Sequence, residues 1–244
     1  MVDECEGNSH GETYIDEVID DRAGASNTEE LLRCKLKDWD VTAAYADRIE
    51  RLLGCNAPAR ILDLACGTGD VTIMLGQRGY DMIGLDCTPA MLSVALELSR
   101  RKPNHVKWVC ADMRTIEYSH EMDCVLLRDV IFSIFESKKD DSDLIARISR
   151  ALKPGGLCLF EVYNKEFGMK HGVQNVAVYD PAMNVFVAKP PYPMKHPLRL
   201  YTETEWEHLL SQSGLAIVRR DGWRWMDDPE PPPWRADFIV ARKA

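Results

Sequence analysis

Between residues 60 and 163 the chain alternates two hydrophobic patterns. Short, almost continuously apolar runs stand at ILDL (61–64), DMIGLD (81–86), HVKWVCAD (105–112), MDCVLLRD (122–129) and LCLFEVYN (157–164). Between them, apolar residues recur at three- and four-residue spacing in DVTIMLGQRGY (70–80), TPAMLSVALELSRRK (88–102) and DSDLIARISRAL (141–152). Runs without polar alternation suit strands buried on both faces, and the intervening spacing suits amphipathic helices. Gly79 and the KPGG stretch (153–156) read as helix stops, and Thr88 with Pro89 as a helix start. The pattern predicts a parallel sheet covered by helices on both faces, joined by right-handed crossovers.

The flanks differ. Residues 29–53 show helical spacing, with a break near Asp38–Asp40 that predicts two helices. After Asn164 the alternation lapses into two short strand-like runs, QNVAVYD (174–180) and NVFVAK (184–189), and a proline-rich loop. A capped helix (202–214) and two strands, LAIVRRDGWRW and WRADFIVARKA, close the chain.

Charge separates the ends further. Of the net −9, the first 30 residues account for all, with ten acids against one arginine. The remainder balances, so it lacks the basic stripe of a nucleic-acid-binding surface. We expect residues 1–30 to be an acidic tail and residues 31–244 to be one domain, with a helical lid at 31–56 and a small cap insertion at 164–200. No apolar stretch reaches the roughly 20 residues that cross a bilayer, and the acidic start is unlike a signal peptide, so a cytoplasmic location is expected. The eight cysteines form no C-x-x-C pair. This argues against zinc and for reduced, buried thiols.

The candidate chemistry sits at the end of the first strand, in ACGTG (65–69). Gly67 and Gly69 permit backbone angles closed to other residues and close approach of a ligand. The next helix directs free N–H groups at the same place. Asp86 ends the second strand, where a carboxylate can accept both hydroxyls of a ribose. Dinucleotide turns need a third glycine where this chain has Thr72, and Asp70 would repel a pyrophosphate. A nucleoside with a cationic amino-acid end fits better.

ILDLACGTGD, GLDCTPAML, CADM and LKPGGLCLFE, in this order, resemble the class I S-adenosylmethionine-dependent methyltransferases. The resemblance implies a Rossmann-like, doubly wound α/β fold, with a seven-stranded, mostly parallel sheet whose last strand is antiparallel. It also implies S-adenosylmethionine as cofactor. The backbone of Ala65, Cys66 and Gly67 would meet its methionine part and Asp86 its ribose, with Gly69 also at the cofactor. Cys87 and Met91 would pack on the adenine, with Asp112 and Met113 at the adenine amino group. Arg128 would lie near the methionine end, where the family more often carries a small or apolar residue. Trp39 and Tyr45 would face the cofactor from the lid.

Methyl transfer asks the protein mainly for alignment, with a base when the acceptor is a hydroxyl. Asp129 and Tyr163, after the fourth and fifth strands, are the candidates for that work. No Asp/Asn/His cluster suits magnesium, and no metal site is expected. Trp223, Trp225, Trp234 and the acids Asp227, Asp228 and Glu230 would lie around the mouth, where the tryptophans either anchor the proline-rich loop on the core or form an aromatic, acidic wall suited to an organic cation or amine acceptor. The expected partner is a small molecule methylated on nitrogen or oxygen. A protein acceptor, or a scaffold that keeps the fold without catalysis, is the alternative.

Overall fold

The computed structural model describes residues 36, 38–129, 132–135, 137–171, 177–182, 185–188, 198–222 and 236–244. The acidic head, the first of the two helices expected before Leu53, and the loop carrying Trp223 to Trp234 lie outside them.

Helix α1 (Trp39–Leu53) begins at the break expected near Asp38 and ends at Gly54, whose φ of 62° closes it. Strands β1 (Arg60–Leu64), β2 (Asp81–Asp86), β3 (Lys107–Cys110), β4 (Met122–Leu127) and β5 (Leu152–Tyr163) alternate with α2 (Asp70–Gln77), α3 (Pro89–Arg101) and α4 (Lys138–Ala151). Helix α5 (Lys165–His171), the hairpin β6 (Ala177–Asp180) and β7 (Val185–Ala188), helix α6 (Glu203–Ser211), and strands β8 (Leu215–Gly222) and β9 (Ala236–Lys243) follow.

The seven-stranded sheet has the order β3-β2-β1-β4-β5-β9-β8. β1 to β5 pair in parallel, and β9 runs antiparallel between β5 and β8. This is the expected α/β architecture. Alternation assigns each strand residue to a face. Leu62, Val125, Cys158 and Ile239 pack with α4 and α6 on one side. Ile61, Cys124, Leu157 and Phe238 pack with α1 and α2 on the other.

Three local readings change. KPGG does not cap a helix; it lies inside β5, where Met122 pairs with Leu152 but Cys124 with Leu157. The extra residues form a bulge, and Gly155 supplies its φ of 76°. Helix α4 starts earlier than Asp141, because Ser137 accepts the Lys139 N–H as its N-cap. Helix α5 was not expected: it is short, and Gly168 interrupts its pattern.

The cysteines depart from a uniformly reduced and buried set. Cys110 is disulfide-bonded. Cys55, Cys66, Cys87, Cys124 and Cys158 are free, with Cys55 and Cys87 only partly buried. No described helix is long and apolar enough to cross a membrane.

Candidate active site

Strand order reverses between β2-β1 and β4-β5, so the crevice lies beyond the carboxyl ends of β1 and β4. The glycine turn leaves β1 there, with Ala65, Gly67 and Gly69 at φ of 53°, 57° and 69°. It is pinned to β2, since the Cys66 N–H donates to the Leu85 carbonyl (3.0 Å).

The two glycines do different work. A Cβ on Gly67 would meet nothing within 4 Å, so this residue faces open space. A Cβ on Gly69 would lie 2.2 Å from the Trp108 ring. Gly69 is therefore required by packing under β3 as much as by its backbone angle. This packing demand on Gly69 adds to the ligand approach expected of both glycines. Gly84 meets the same ring at 2.5 Å.

Asp86 is 3 % exposed. Its Oδ2 accepts the Gly67 N–H (2.8 Å) and its Oδ1 the Thr88 N–H (2.9 Å). Burial raises its pKa, and the two backbone donors work against that. The Thr88 side chain also bonds the carboxylate, which retains acceptor capacity for a hydroxyl. Cys87 and Met91 follow, both partly buried. Asp112 and Met113 stand beyond the end of β3, but the Asp112 carboxylate is gripped by Arg114 through Nε and Nη2 (2.6–3.1 Å).

On the α1 face, three charged residues end β1, β4 and β5 side by side. Asp63, wholly buried, accepts the Thr72 hydroxyl (2.6 Å) and both Nε and Nη2 of Arg128 (3.2 and 3.1 Å). Arg128 is 4 % exposed. Burial opposes its charge, yet Asp63 and Asp129 hold its pKa above the usual arginine value. An arginine in place of a small residue is accommodated because its charge turns into this buried pair.

Glu161, on β5, was missed by the sequence reading. It is 7 % exposed, and its Oε2 accepts the Tyr45 hydroxyl (2.7 Å) and the Asp129 N–H (2.8 Å). Burial, then the Asp129 charge, raises its pKa. Burial and Glu161 likewise raise that of the Tyr45 phenol. The signal existed: an acid ending an apolar strand needs a partner, as Asp86 does.

Asp129 itself is strained, with φ of 57°, and its side chain is 68 % exposed. Tyr163 packs against the hairpin residues Ala177 and Phe186. It shares a pocket with Phe132, Arg199, Tyr201 and Trp206. The Trp39 ring packs beside the Lys102 ammonium, 4.7 Å from its centroid. Cys66 is buried, which raises its thiol pKa well above the usual value and makes it a poor nucleophile. Among the described residues, no group of three or more His, Cys, Asp or Glu side chains could hold a metal ion.

Known proteins resemble this chain in sequence and in fold. A family model described as a methyltransferase domain matches residues 39–220. The glycine/sarcosine N-methyltransferase of Halorhodospira halochloris is 26% identical over 171 residues, 69% of this chain and 60% of that protein. The demethylmenaquinone methyltransferase of Thermus thermophilus is 34% identical over 103 residues, 41% of this chain and 45% of that protein. The chain spans roughly half the length of these curated relatives. The 1,6-didemethyltoxoflavin-N1-methyltransferase of Burkholderia thailandensis, solved with S-adenosylhomocysteine, superposes with a TM-score of 0.64 at 17% identity. That match covers 99% of this chain and 93% of that one, and at this identity it speaks for the fold alone. The match across residues 39–220, on a sheet of this order, places the chain among the class I S-adenosylmethionine-dependent methyltransferases.

Proposed function

We propose that this protein transfers the methyl group of S-adenosylmethionine to a nitrogen or oxygen of a small molecule, with an amine the best-supported acceptor. The observation that carries the reading is the pairing of Gly67 with Asp86. An open, side-chain-free backbone position donates to a buried carboxylate at a strand end. This fits the cofactor: bare chain for its amino-acid part, and spare lone pairs for its ribose. Ala65, Cys66 and Gly67 would hold the former and Asp86 the latter, with Cys87, Met91 and Met113 around the base. Asp112 would have to share its carboxylate with Arg114. When bound, the sulfonium supplies an electrophilic methyl group.

The residues around the mouth then orient the acceptor. Arg128 is neutralised by Asp63, so Glu161 and Asp129 leave an acidic balance beside β4 and β5. That balance suits a cationic or amine-bearing acceptor, in keeping with the relative named for glycine and sarcosine. Asp129, exposed at the tip of β4, would take a proton from the acceptor, and Tyr163, which lines a pocket with Phe132 and Trp206, would wall the acceptor.

The test incubates the protein with methyl-labelled S-adenosylmethionine and a cell extract split into small-molecule, protein and nucleic-acid fractions, beside an Asp86→Ala variant. Label in the small-molecule fraction, lost in the variant, is expected. Label in protein or nucleic acid would replace the acceptor class. Cofactor binding without label in any fraction would favour a scaffold.

A further inference from the structure

Two free cysteines meet at the edge of the sheet opposite the mouth. Cys124 lies in β4, paired with Ile61 of β1 and Leu157 of β5, and is buried. Cys55 lies just past Gly54, in the loop that leaves α1, and is partly exposed. The Tyr80 hydroxyl donates to the Cys55 carbonyl (3.0 Å) and fixes that loop. The Cys124 thiol donates to Cys55 Sγ at 3.3 Å. Neither takes part in the proposed methyl transfer.

We infer that Cys55 and Cys124 form a redox-active dithiol, with Cys55 the attacking thiol and Cys124 the resolving one, and a hydroperoxide as oxidant. The geometry divides the roles. Of the two, Cys55 is the one open to solvent, and Cys124 is already in contact with its sulfur. The Cys124 hydrogen bond also holds the Cys55 thiol below the usual cysteine value, while that bond and burial push Cys124 up. Reactivity follows thiolate character and access.

The chemistry balances. The Cys55 thiolate attacks one peroxide oxygen, the O–O bond breaks, and Cys55 becomes a sulfenic acid with release of hydroxide. Cys124 sulfur then attacks the Cys55 sulfur, the S–O bond breaks, and water leaves with the Cys124 proton. Two thiols and one hydrogen peroxide give one disulfide and two waters. The bond would tie the end of α1, which carries Tyr45, to the strand that leads to Arg128 and Asp129.

The test treats the full chain with hydrogen peroxide, blocks remaining thiols by alkylation and digests with trypsin. Cleavage frees Cys55 in residues 52–60 and Cys124 in residues 115–128. A linked pair of these peptides, separated by dithiothreitol, is expected. Cys55→Ser should abolish the link and leave Cys124 a free thiol. Cys124→Ala should let Cys55 proceed to sulfinic acid. The inference is overturned if wild-type Cys55 reaches sulfinic acid while Cys124 stays free, or if both thiols alkylate unchanged at peroxide levels that oxidise an exposed model thiol. Should Cys124→Ala fail to fold, the wild-type and Cys55→Ser digests still decide.

Discussion

The Tyr45 hydroxyl, on the helix that covers one face, donates to Glu161 at the end of β5, 116 residues away, at 2.7 Å. The same Glu161 oxygen accepts the Asp129 backbone N–H. One buried carboxylate thus joins α1 to the two strand ends where an acceptor would sit. Tyr45→Phe should cost about 2 kcal/mol of stability, since the bond runs to a charged acceptor. Urea unfolding measures it, and a change below about 0.5 kcal/mol would show that water replaces the phenol.

Glu161 also carries a pH signature. Its folded pKa lies above the usual glutamate value, chiefly through burial. Its contribution to stability is then fully present below the unfolded pKa, and is lost as pH rises through the folded one. Glu161→Gln removes this titration. The Tm of the variant minus that of the wild type should therefore grow more positive between about pH 4 and neutrality. A flat difference would show that Glu161 titrates normally.

The glycine turn separates two kinds of loss. Gly69→Ala should destabilise the protein strongly, because its Cβ would meet Trp108 at 2.2 Å as well as requiring φ of 69°. Gly67→Ala should cost only about 1 kcal/mol of backbone strain while weakening cofactor binding at least tenfold. Thermal unfolding and a cofactor titration read the two effects. Equal destabilisation by both would contradict the assignment.

Asp63 and Arg128 form a buried pair, so removing one partner strands the other. Asp63→Asn should cost about 3–5 kcal/mol, and Asp63→Leu with Arg128→Met considerably less. Denaturant curves on the wild type, Asp63→Leu, Arg128→Met and the double variant give the coupling. Additive losses would mean that Arg128 finds another partner.

Another buried acid, Asp141, makes a similar demand. Asp141, in the first turn of α4, accepts from Ser133 (3.1 Å), Arg199 (3.0 Å) and Tyr201 (2.6 Å) through one oxygen. It fastens the end of the cap, at Arg199 and the adjoining Tyr201, to the loop after β4. Asp141→Ala should cost about 3 kcal/mol and speed amide exchange at 198–201 before the sheet is affected. Uniform acceleration across the sheet would show that the bond serves the whole fold instead.

Strand and helix identity from residue 60 to 163 was legible because burial on both faces leaves a continuous apolar run, and a covering helix leaves a periodic one. Asp86 was legible for the opposite reason, as a charge where the pattern allows none. Glu161 carried the same mark and was passed over, for its meaning depends on Tyr45, which no local pattern links to it. KPGG misled because the same residues stop a helix or make a bulge, and the register with β4 decides.

The sequence by itself determined the parallel sheet, the position of the glycine turn and the family. These follow from local chemistry repeated along the chain. Only the tertiary structure decided that Gly69 is bare for Trp108, that Arg128 turns into Asp63, that Glu161 anchors Tyr45 and that Cys55 meets Cys124. Each is a contact between residues distant in sequence, fixed by strand order and register rather than by any property of the two residues alone.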